Sequence, residues 1–377
     1  MRITIATGPL LPVPALRGGA IPRMWEGLAR EFAAAGHEVC VFARADASQP
    51  ESEVREGVRY RRWGGFDQSG SLSRDLLRDL AYALGAWRRL PAADILVTND
   101  FWLPAFAGRG KARSGRLVVN ANRFPKGQYG LYRHAARIAA ASGAVRDAVA
   151  EQTPALAPRI KVFPNPVDLG VMHPGKGGRG AGPARLLYVG RIHPEKGVHV
   201  LAAAFRGLAP RFPDWRLRLV GPWRAAEGGG GEAYLDRVRA ALGDAPADVV
   251  GPVFGAQALA GEYRSASLFC YPSLAEQGES FGLAPLEAMA CGLAPVVSRL
   301  ACFADFLVPG ETGWQFDHRA ADPAGALADA LAQAMSDAGG RQRLATRAAA
   351  AARAFGYAEV ARAYLEDFGA LTGQAHA

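Results

Sequence analysis

Apolar residues along this chain keep two rhythms, one fit for buried strands and one for amphipathic helices. RITIA (Arg2–Ala6), HEVCVFA (His37–Ala43), DILVTND (Asp94–Asp100) and RLVVNAN (Arg116–Asn122) are short, nearly continuous apolar runs. Runs of that length read as strands buried on both faces of a sheet. Between the first two, Met24, Leu28 and Phe32 recur at helical spacing from Pro22 to Ala35 and stop at Gly36, which predicts a helix. VRYRRW (Val58–Trp63) predicts a further strand. A helix is predicted from Arg74 to Arg89, with Leu76, Leu77, Leu80, Leu84 and Trp87 on one broad face and alternating Arg and Asp on a solvated one. RFPKGQYGLYRH (Arg123–His134) is basic and aromatic and is expected to lead into a helix.

The alternation then resumes. RLLYVG (Arg185–Gly190), LRLVG (Leu217–Gly221), ADVVGPV (Ala247–Val253), SLFCYPS (Ser267–Ser273), APVVS (Ala294–Ser298) and GWQF (Gly313–Phe316) read as strands with helices between them. Such a succession predicts parallel sheets covered by helices on both faces. Two prolines and an asparagine stiffen Pro164 to Asp168, the exit from the first half, and MHPGKGGRGAGPA (Met172–Ala184) behind it is glycine-rich and flexible. The expected class is therefore α/β, with two Rossmann-like domains, at 1–166 and 167–354, whose parallel sheets face a central cleft. A last segment, 355–377, carries an apolar helical face at Phe355, Val360, Tyr364 and Phe368.

The most informative stretch is EQGESFGLAPLEAMACGLAPVVS, Glu276 to Ser298. Pro285 is tolerated only in a first helical turn, where no backbone donor is lost, so the helix starts near Gly282 or Leu283. Glu279 then stands just before the helix and Glu287 about a turn inside it. The free amides of Phe281, Gly282 and Leu283 point outward, a seat for an anion. A phosphate seat flanked by two carboxylates suits a sugar nucleotide; the bland alternative is a surface loop with two solvated glutamates. Arg191 leaves the end of the RLLYVG strand, and Lys196 follows Pro194 at the start of the next helix, so both cations are aimed at the same region.

GESFGLAPLEAMACGLAPVV closely resembles the donor-site signature of the retaining, GT-B-fold glycosyltransferases of family 4, the glycosyl transferases group 1. The resemblance covers the whole chain in architecture and is motif-specific over residues 185–300. It implies that Arg191 and Lys196 offset the diphosphate charge as the sugar leaves, with Gly190, Ser280, Phe281, Gly282 and Leu283 around the donor. Glu287 accepts from the ribose hydroxyls, and Glu279 stands beside the transferred sugar near its O3. Val253, within Gly251–Phe254, walls the base. The loop with Gly18 and Gly19 faces the donor phosphates; from the residues alone, that glycine pair equally makes a simple turn. Many members carry a histidine near the end of the RLVVNAN strand, and Asn122 stands there instead. Asp100 and Asn122 end strands, where ligands gather in open α/β sheets. Arg123 and Lys126 hold an acceptor phosphate or carboxylate, or are plain surface charge. The last helix crosses back onto the first domain. The expected reaction is metal-independent transfer of a hexosyl unit, with retention and without cofactor, from a nucleotide sugar (UDP by default) to a glycan, lipid-linked or anionic small-molecule acceptor. Glu279→Ala, Arg191→Ala and Lys196→Ala are each expected to cut transfer severely with the fold kept.

Composition narrows the alternatives. The 377-residue chain has a formal net charge of +9. Up to residue 166 there are 24 Lys and Arg against 14 Asp and Glu, and beyond it 20 against 21. That asymmetry points to an anionic partner of the first half, a phosphorylated acceptor or an acidic membrane surface, or else merely to arginine-rich composition. No apolar run approaches the ~20 residues of a membrane span, and MRITIATG is a strand rather than a signal peptide. Cys40, Cys270, Cys291 and Cys302 lack metal spacing and read as reduced core thiols. A cytoplasmic protein is expected, with peripheral contact at the inner membrane face left open. No basic-aromatic nucleic-acid motif occurs. Gly170 to Lys176 imitates a nucleotide-binding loop, but Gly177 replaces its Ser or Thr. Neither half opens with the glycine fingerprint of an NAD-linked oxidoreductase. Two rivals stay open: a glycoside hydrolase using Glu279 and Glu287, whose carboxylates would stand ~5–10 Å apart, and a non-catalytic glycan- or nucleotide-sugar-binding subunit. Oligomeric state is not legible.

Overall fold

The computed structural model describes residues 1–16, 18–107, 115–175 and 182–373. Lys176 and Gly177, of the rejected nucleotide-loop pattern and the glycine-rich stretch, lie outside the described residues, as do the last four of the 355–377 segment. The chain forms two units. One comprises Met1–Pro166 with the segment from Tyr357 onward, the other Val167–Gly356.

The first unit is built on β1 (Arg2–Ala6), β2 (Glu38–Ala43), β3 (Ser52–Arg55), β4 (Val58–Arg62), β5 (Ile95–Thr98), β6 (Arg116–Ala121), β7 (Arg137–Ala140) and β8 (Ile160–Val162). Their order in the sheet is β3-β4-β2-β1-β5-β6-β7-β8. All neighbours are parallel except β3 and β4, a hairpin turned by Glu56 and Gly57, both at positive φ. Strand alternation distributes the apolar residues to two cores. Ile3, Ile5, Ile95, Val97 and Val118 pack on one face with Trp25, Leu28 and Phe32 of the helix Ala20–Ala34 and with Val360, Tyr364 and Phe368 of the helix Tyr357–Thr372. Leu96, Leu117, Val119 and Ile138 pack on the other with Tyr82, Ala83 and Ala86 and with Val145 and Val149 of the helix Gly143–Gln152. Buried Asp367 pins the final helix, accepting two bonds of 2.8 Å from Arg137 in β7, with Lys161 of β8 at 3.4 Å.

Three expectations about this unit change. The helix Leu72–Arg89 buries Asp79, Tyr82, Ala83 and Ala86 rather than the leucine stripe; Leu77 is 69% and Leu84 39% exposed. Alanines let the helix lie close to the sheet, and the leucines fall about a third of a turn away. Arg123–His134 leads through a short 3-10 turn (Gln128–Tyr132) into β7, not into a helix. Phe355 precedes the final helix and packs in the second unit against Phe281 and Phe306, at ring-centroid distances of 6.2 Å each.

The second unit holds β9 (Ala184–Val189), β10 (Trp215–Val220), β11 (Ala247–Val250), β12 (Leu268–Tyr271), β13 (Pro295–Ser298) and β14 (Trp314–Phe316). They form an all-parallel sheet ordered β11-β10-β9-β12-β13-β14. β11 ends at Val250, so Gly251–Phe254, read as strand continuation, is loop. From β9 the chain winds outward through β10 to β11, then returns to β12 and winds the other way. That reversal leaves a topological switch point beyond the carboxyl ends of β9 and β12, where ligands bind in open α/β sheets.

Candidate active site

The loops after β9 and β12 meet at this switch point and are sewn together. The carbonyl of Glu195, in the turn Pro194–Lys196, accepts from the amide of Leu274 at 2.8 Å and from Ser273 Oγ at 3.4 Å. Gly197 makes the approach possible: it sits at φ 66°, and a Cβ there would collide with the carbonyl oxygen of Pro272. The contact brings Lys196 Nζ to 2.7 Å from Glu279 Oε2, with only 9% and 10% of the two side chains exposed. Tyr271, the last residue of β12, lies under the pair: its hydroxyl bonds Glu279, and Lys196 Nζ is 5.7 Å from its ring centroid. Tyr188 of β9 stacks on Tyr271 at 5.9 Å and donates to the Arg191 carbonyl at 2.7 Å. Burial first, and the Glu279 charge second, push both phenols well above their usual range, so they stay neutral hydrogen-bond donors.

The helix after β12 spans Leu283–Ala290, capped by Gly282 at φ 85°. A side chain on Gly282 would run into Phe303, so the turn that aims the helix tip is available to glycine alone at that packing density. Pro285 lies in the first turn, and no side chain caps it, which leaves its amides without acceptors inside the helix. Phe281 is buried against Phe306 at 5.4 Å and anchors the entry; Ser280 and Leu283 are half-buried. Glu287 stands a turn further on, its Oε2 accepting from the hydroxyl of buried Tyr263 at 2.9 Å.

Arg191 continues from Gly190, whose amide extends the sheet by bonding Val220 at 3.0 Å. Its guanidinium donates to the Gly228 carbonyl at 2.7 Å and to the carboxylate of Glu195. The loop that bears Glu279 is clamped from β14's side of the sheet. Glu276 accepts from Arg319 at 2.6 and 2.7 Å and meets His318 Nε2 at 2.7 Å. Arg319 holds the Glu276 carboxyl below its usual range against the opposing effect of burial, with a further contribution from His318. Val253 lies three residues past the edge strand β11, beside Phe254, which is 83% exposed. Tyr188, Glu195, Tyr263, Tyr271, Glu276, His318 and Arg319 are site members that sequence reasoning missed. Glu195 adjoins Lys196 and could have been weighed with it; His318 and Arg319 stand 42 and 43 residues from Glu276, with no local signal.

The remaining expected residues belong to the first unit. Gly18 and Gly19 have φ of 74° and 100°, and Gly19 opens the helix Ala20–Ala34. Asp100 follows β5 at that unit's own switch point beside β1. It is buried, and its Oδ1 accepts from the amides of Trp102 and Leu103 at 2.9 and 3.0 Å. Burial, and then the facing carboxyl of Asp79, push it up to about 8; burial pushes Asp79 up to about 6. Asn122 is half-buried, its amide 4.0 Å from Met24 Sδ, while Arg123 and Lys126 are exposed. The four cysteines are unpaired and buried. Among the described residues no helix is long and apolar enough to cross a membrane, and no group of three or more His, Cys, Asp or Glu gathers as a metal site.

With this geometry in hand, comparison with known proteins is direct. The family model described as glycosyl transferases group 1 matches residues 173–351, and that of glycosyltransferase family 4 matches residues 21–171. The chain is 30% identical to a D-inositol 3-phosphate glycosyltransferase of Actinosynnema mirum over 90% of this chain and 89% of that one. It is likewise 30% identical to one of Streptomyces scabiei, over 90% and 84%. Among solved structures, sucrose-phosphate synthase from Thermosynechococcus elongatus superposes with a TM-score of 0.78 at 22% identity, covering 100% of both chains. Anabaena Alr3699/HepE, in complex with UDP and glucose, does so with 0.73 at 18% identity, covering 98% and 99%. The chain belongs to the GT-B glycosyltransferases of family 4 and is a transferase of the glycosyl-transferring class.

Proposed function

We propose that this glycosyltransferase is a retaining, metal-independent hexosyltransferase using a nucleoside diphosphate sugar, with UDP as the nucleotide. The observation that carries the reading is the Lys196–Glu279 pair at the β9/β12 switch point, in the same unit as the uncapped tip of the helix Leu283–Ala290. Lys196, Arg191 and the helix-tip amides form a cationic surface for a diphosphate, and preorganised donors of this kind are worth ~10²–10³ in rate each. Glu287, oriented by Tyr263, is suited to accept from vicinal ribose hydroxyls. Glu279, its charge held by Lys196 and Tyr271, is suited to a hydroxyl of the transferred sugar. In the reaction the bond from the anomeric carbon to the phosphate oxygen breaks. The acceptor oxygen bonds that carbon on the same face, and its proton passes to the departing phosphate. Residues 167–354 take the donor role and 1–166 the acceptor role, with 355–377 completing the latter.

The choice of nucleotide leans on the relative named as a complex with UDP and glucose. An anionic acceptor, a phosphorylated polyol or sugar, fits the excess of 24 basic over 14 acidic residues up to residue 166 and the likeness to D-inositol 3-phosphate glycosyltransferases. A glycan or lipid-linked acceptor would fit the same surface. Cytoplasmic location with contact at an acidic membrane face is consistent with exposed Leu72 and Leu77 beside Arg74 and Arg78 on one helix.

Incubation with UDP-, GDP- and ADP-sugars, with and without inositol phosphate and EDTA, tests the reading. Nucleoside diphosphate release that depends on acceptor and survives EDTA is expected. Hydrolysis of simple glycosides with no response to any nucleotide sugar would replace the reading with the hydrolase one, and activity restored only by Mg²⁺ or Mn²⁺ would overturn its metal-independent part.

A further inference from the structure

We infer that the carboxylate of Glu195 is a built-in counter-anion, holding the place between Arg191 and Lys196 that the diphosphate of the donor takes over. This rests on the donor-site reading above and adds to it a group that sets how tightly nucleotides are held.

The backbone of Glu195 is committed. Its carbonyl ties the β12 loop through Leu274 and Ser273, and its amide donates to His193 Nδ1 at 3.4 Å. The side chain is held chiefly by cations: its Oε1 bonds the Arg191 guanidinium and lies 4.0 Å from Lys196 Nζ, with His193 Nδ1, the acceptor of the Glu195 amide, 3.8 Å away. Its other oxygen lies beside Gly278, 3.8 Å from where a Cβ would stand, at the base of the loop that carries Glu279. About a third of the side chain is exposed, so it can leave without disturbing the core. Two cations and two carboxylates therefore balance formally before any ligand arrives: Arg191 with Glu195, Lys196 with Glu279.

A diphosphate carries more negative charge than either carboxylate and recognises the same guanidinium fork. With Glu195 in place, the incoming anion meets a like charge a few ångströms away; with Glu195 displaced, Arg191 is free to pair with phosphate. Donor and product both bear this cost. The site is therefore tuned for release as well as capture, since the carboxylate returns to Arg191 as the product departs. A carboxylate that merely orients Arg191 would act with the opposite sign, because its removal would weaken binding.

Titration calorimetry with UDP, GDP, ADP and inorganic diphosphate, on the full chain and on its Glu195→Gln and Glu195→Ala variants, separates the two. Loss of the carboxylate should tighten binding of whichever probe the parent binds by about fivefold, the size expected for one like charge removed ~4 Å away in a water-exposed setting. The gain should shrink as NaCl screens the site. Binding by the variants alone would also support the inference. Unchanged or weaker binding by the variants overturns it and leaves the donor site standing; no binding by any protein removes both. Failure of both variants to fold would make the carboxylate structural and overturn it too.

Discussion

Lys196 Nζ lies 2.7 Å from Glu279 Oε2, with about nine-tenths of each side chain buried. The pair is thus a structural element as well as a chemical one. Taking two charges out of water costs several kcal/mol each, and deleting one partner strands the other, at ~3–5 kcal/mol. Lys196→Ala should therefore cut transfer ~10²–10³-fold and also lower the denaturant midpoint, so the expectation of an unperturbed fold has to be revised. Lys196→Met combined with Glu279→Leu should recover much of the lost stability and none of the activity. Equal midpoints for the Lys196→Ala variant and the parent protein would show that the pair is solvated in solution.

Glu287 receives a hydrogen bond from Tyr263, whose hydroxyl is carried in from the helix Ala256–Ser265. Burial first, and the Glu287 charge second, push that phenol well above its usual range, so it donates across the working pH range. Tyr263→Phe removes the donor and keeps the packing. A hydrogen bond to a charged group is worth ~1.5–3 kcal/mol, most of it here spent on orientation. The expected result is ~10-fold weaker binding of the nucleotide with a smaller change in kcat. Calorimetry against steady-state rates measures this split, and an unaltered nucleotide affinity would leave Tyr263 a packing residue.

Much of this site is legible in sequence because its parts are local. Pro285 and the glycines fix where the helix Leu283–Ala290 starts and so the place of Glu279 just before it, and the strand-end position of Arg191 follows from the apolar run before it. What pairs with what is not local. β9 and β12 become neighbours only because the winding direction reverses, so the Lys196–Glu279 and Glu195–Leu274 contacts have no short-range signature. The leucines of the helix Leu72–Arg89 mislead for the opposite reason. They carry the stronger hydrophobic signal, yet alanines and Tyr82 fit the sheet while Leu72 and Leu77 stay 77% and 69% exposed.

The clamp on Glu276 gives a test of loop positioning. Its partners Arg319 and His318 leave no direct role in the reaction for the Glu276 carboxylate, so Glu276→Ala should act through the placement of Glu279. A fall of about tenfold in kcat with a modest fall in melting temperature is expected: the Arg319 pair is exposed, and exposed ion pairs contribute ~0–1 kcal/mol to stability, while buried His318 loses its Nε2 partner, at ~1–3 kcal/mol. Arg319→Lys should retain more activity than Arg319→Ala. The Glu276 carboxyl is held low in the folded protein, so the clamp is complete above its unfolded range near pH ~4 and loosens as pH falls through the lower folded value. Identical kcat for the Glu276→Ala variant and the parent protein would rule out the positioning role.

Asp79 and Asp100 make the opposite kind of pair. Burial and mutual repulsion raise Asp100 to about 8, and burial raises Asp79 to about 6, against ~3.9 for an unfolded aspartate. The other titratable groups facing them, Tyr82 and Tyr132, are themselves pushed up by burial and stay neutral. The folded protein therefore binds more protons than the unfolded chain from about pH 4 to about 8, and stability falls as pH rises through that window. Asp79→Asn keeps the shape of the side chain and removes the like charge facing Asp100. The melting temperature of that variant should exceed the parent's by more at pH 9 than at pH 5. A difference that is constant across this range would mean that the two carboxyls titrate independently, with solvent rather than each other as their environment.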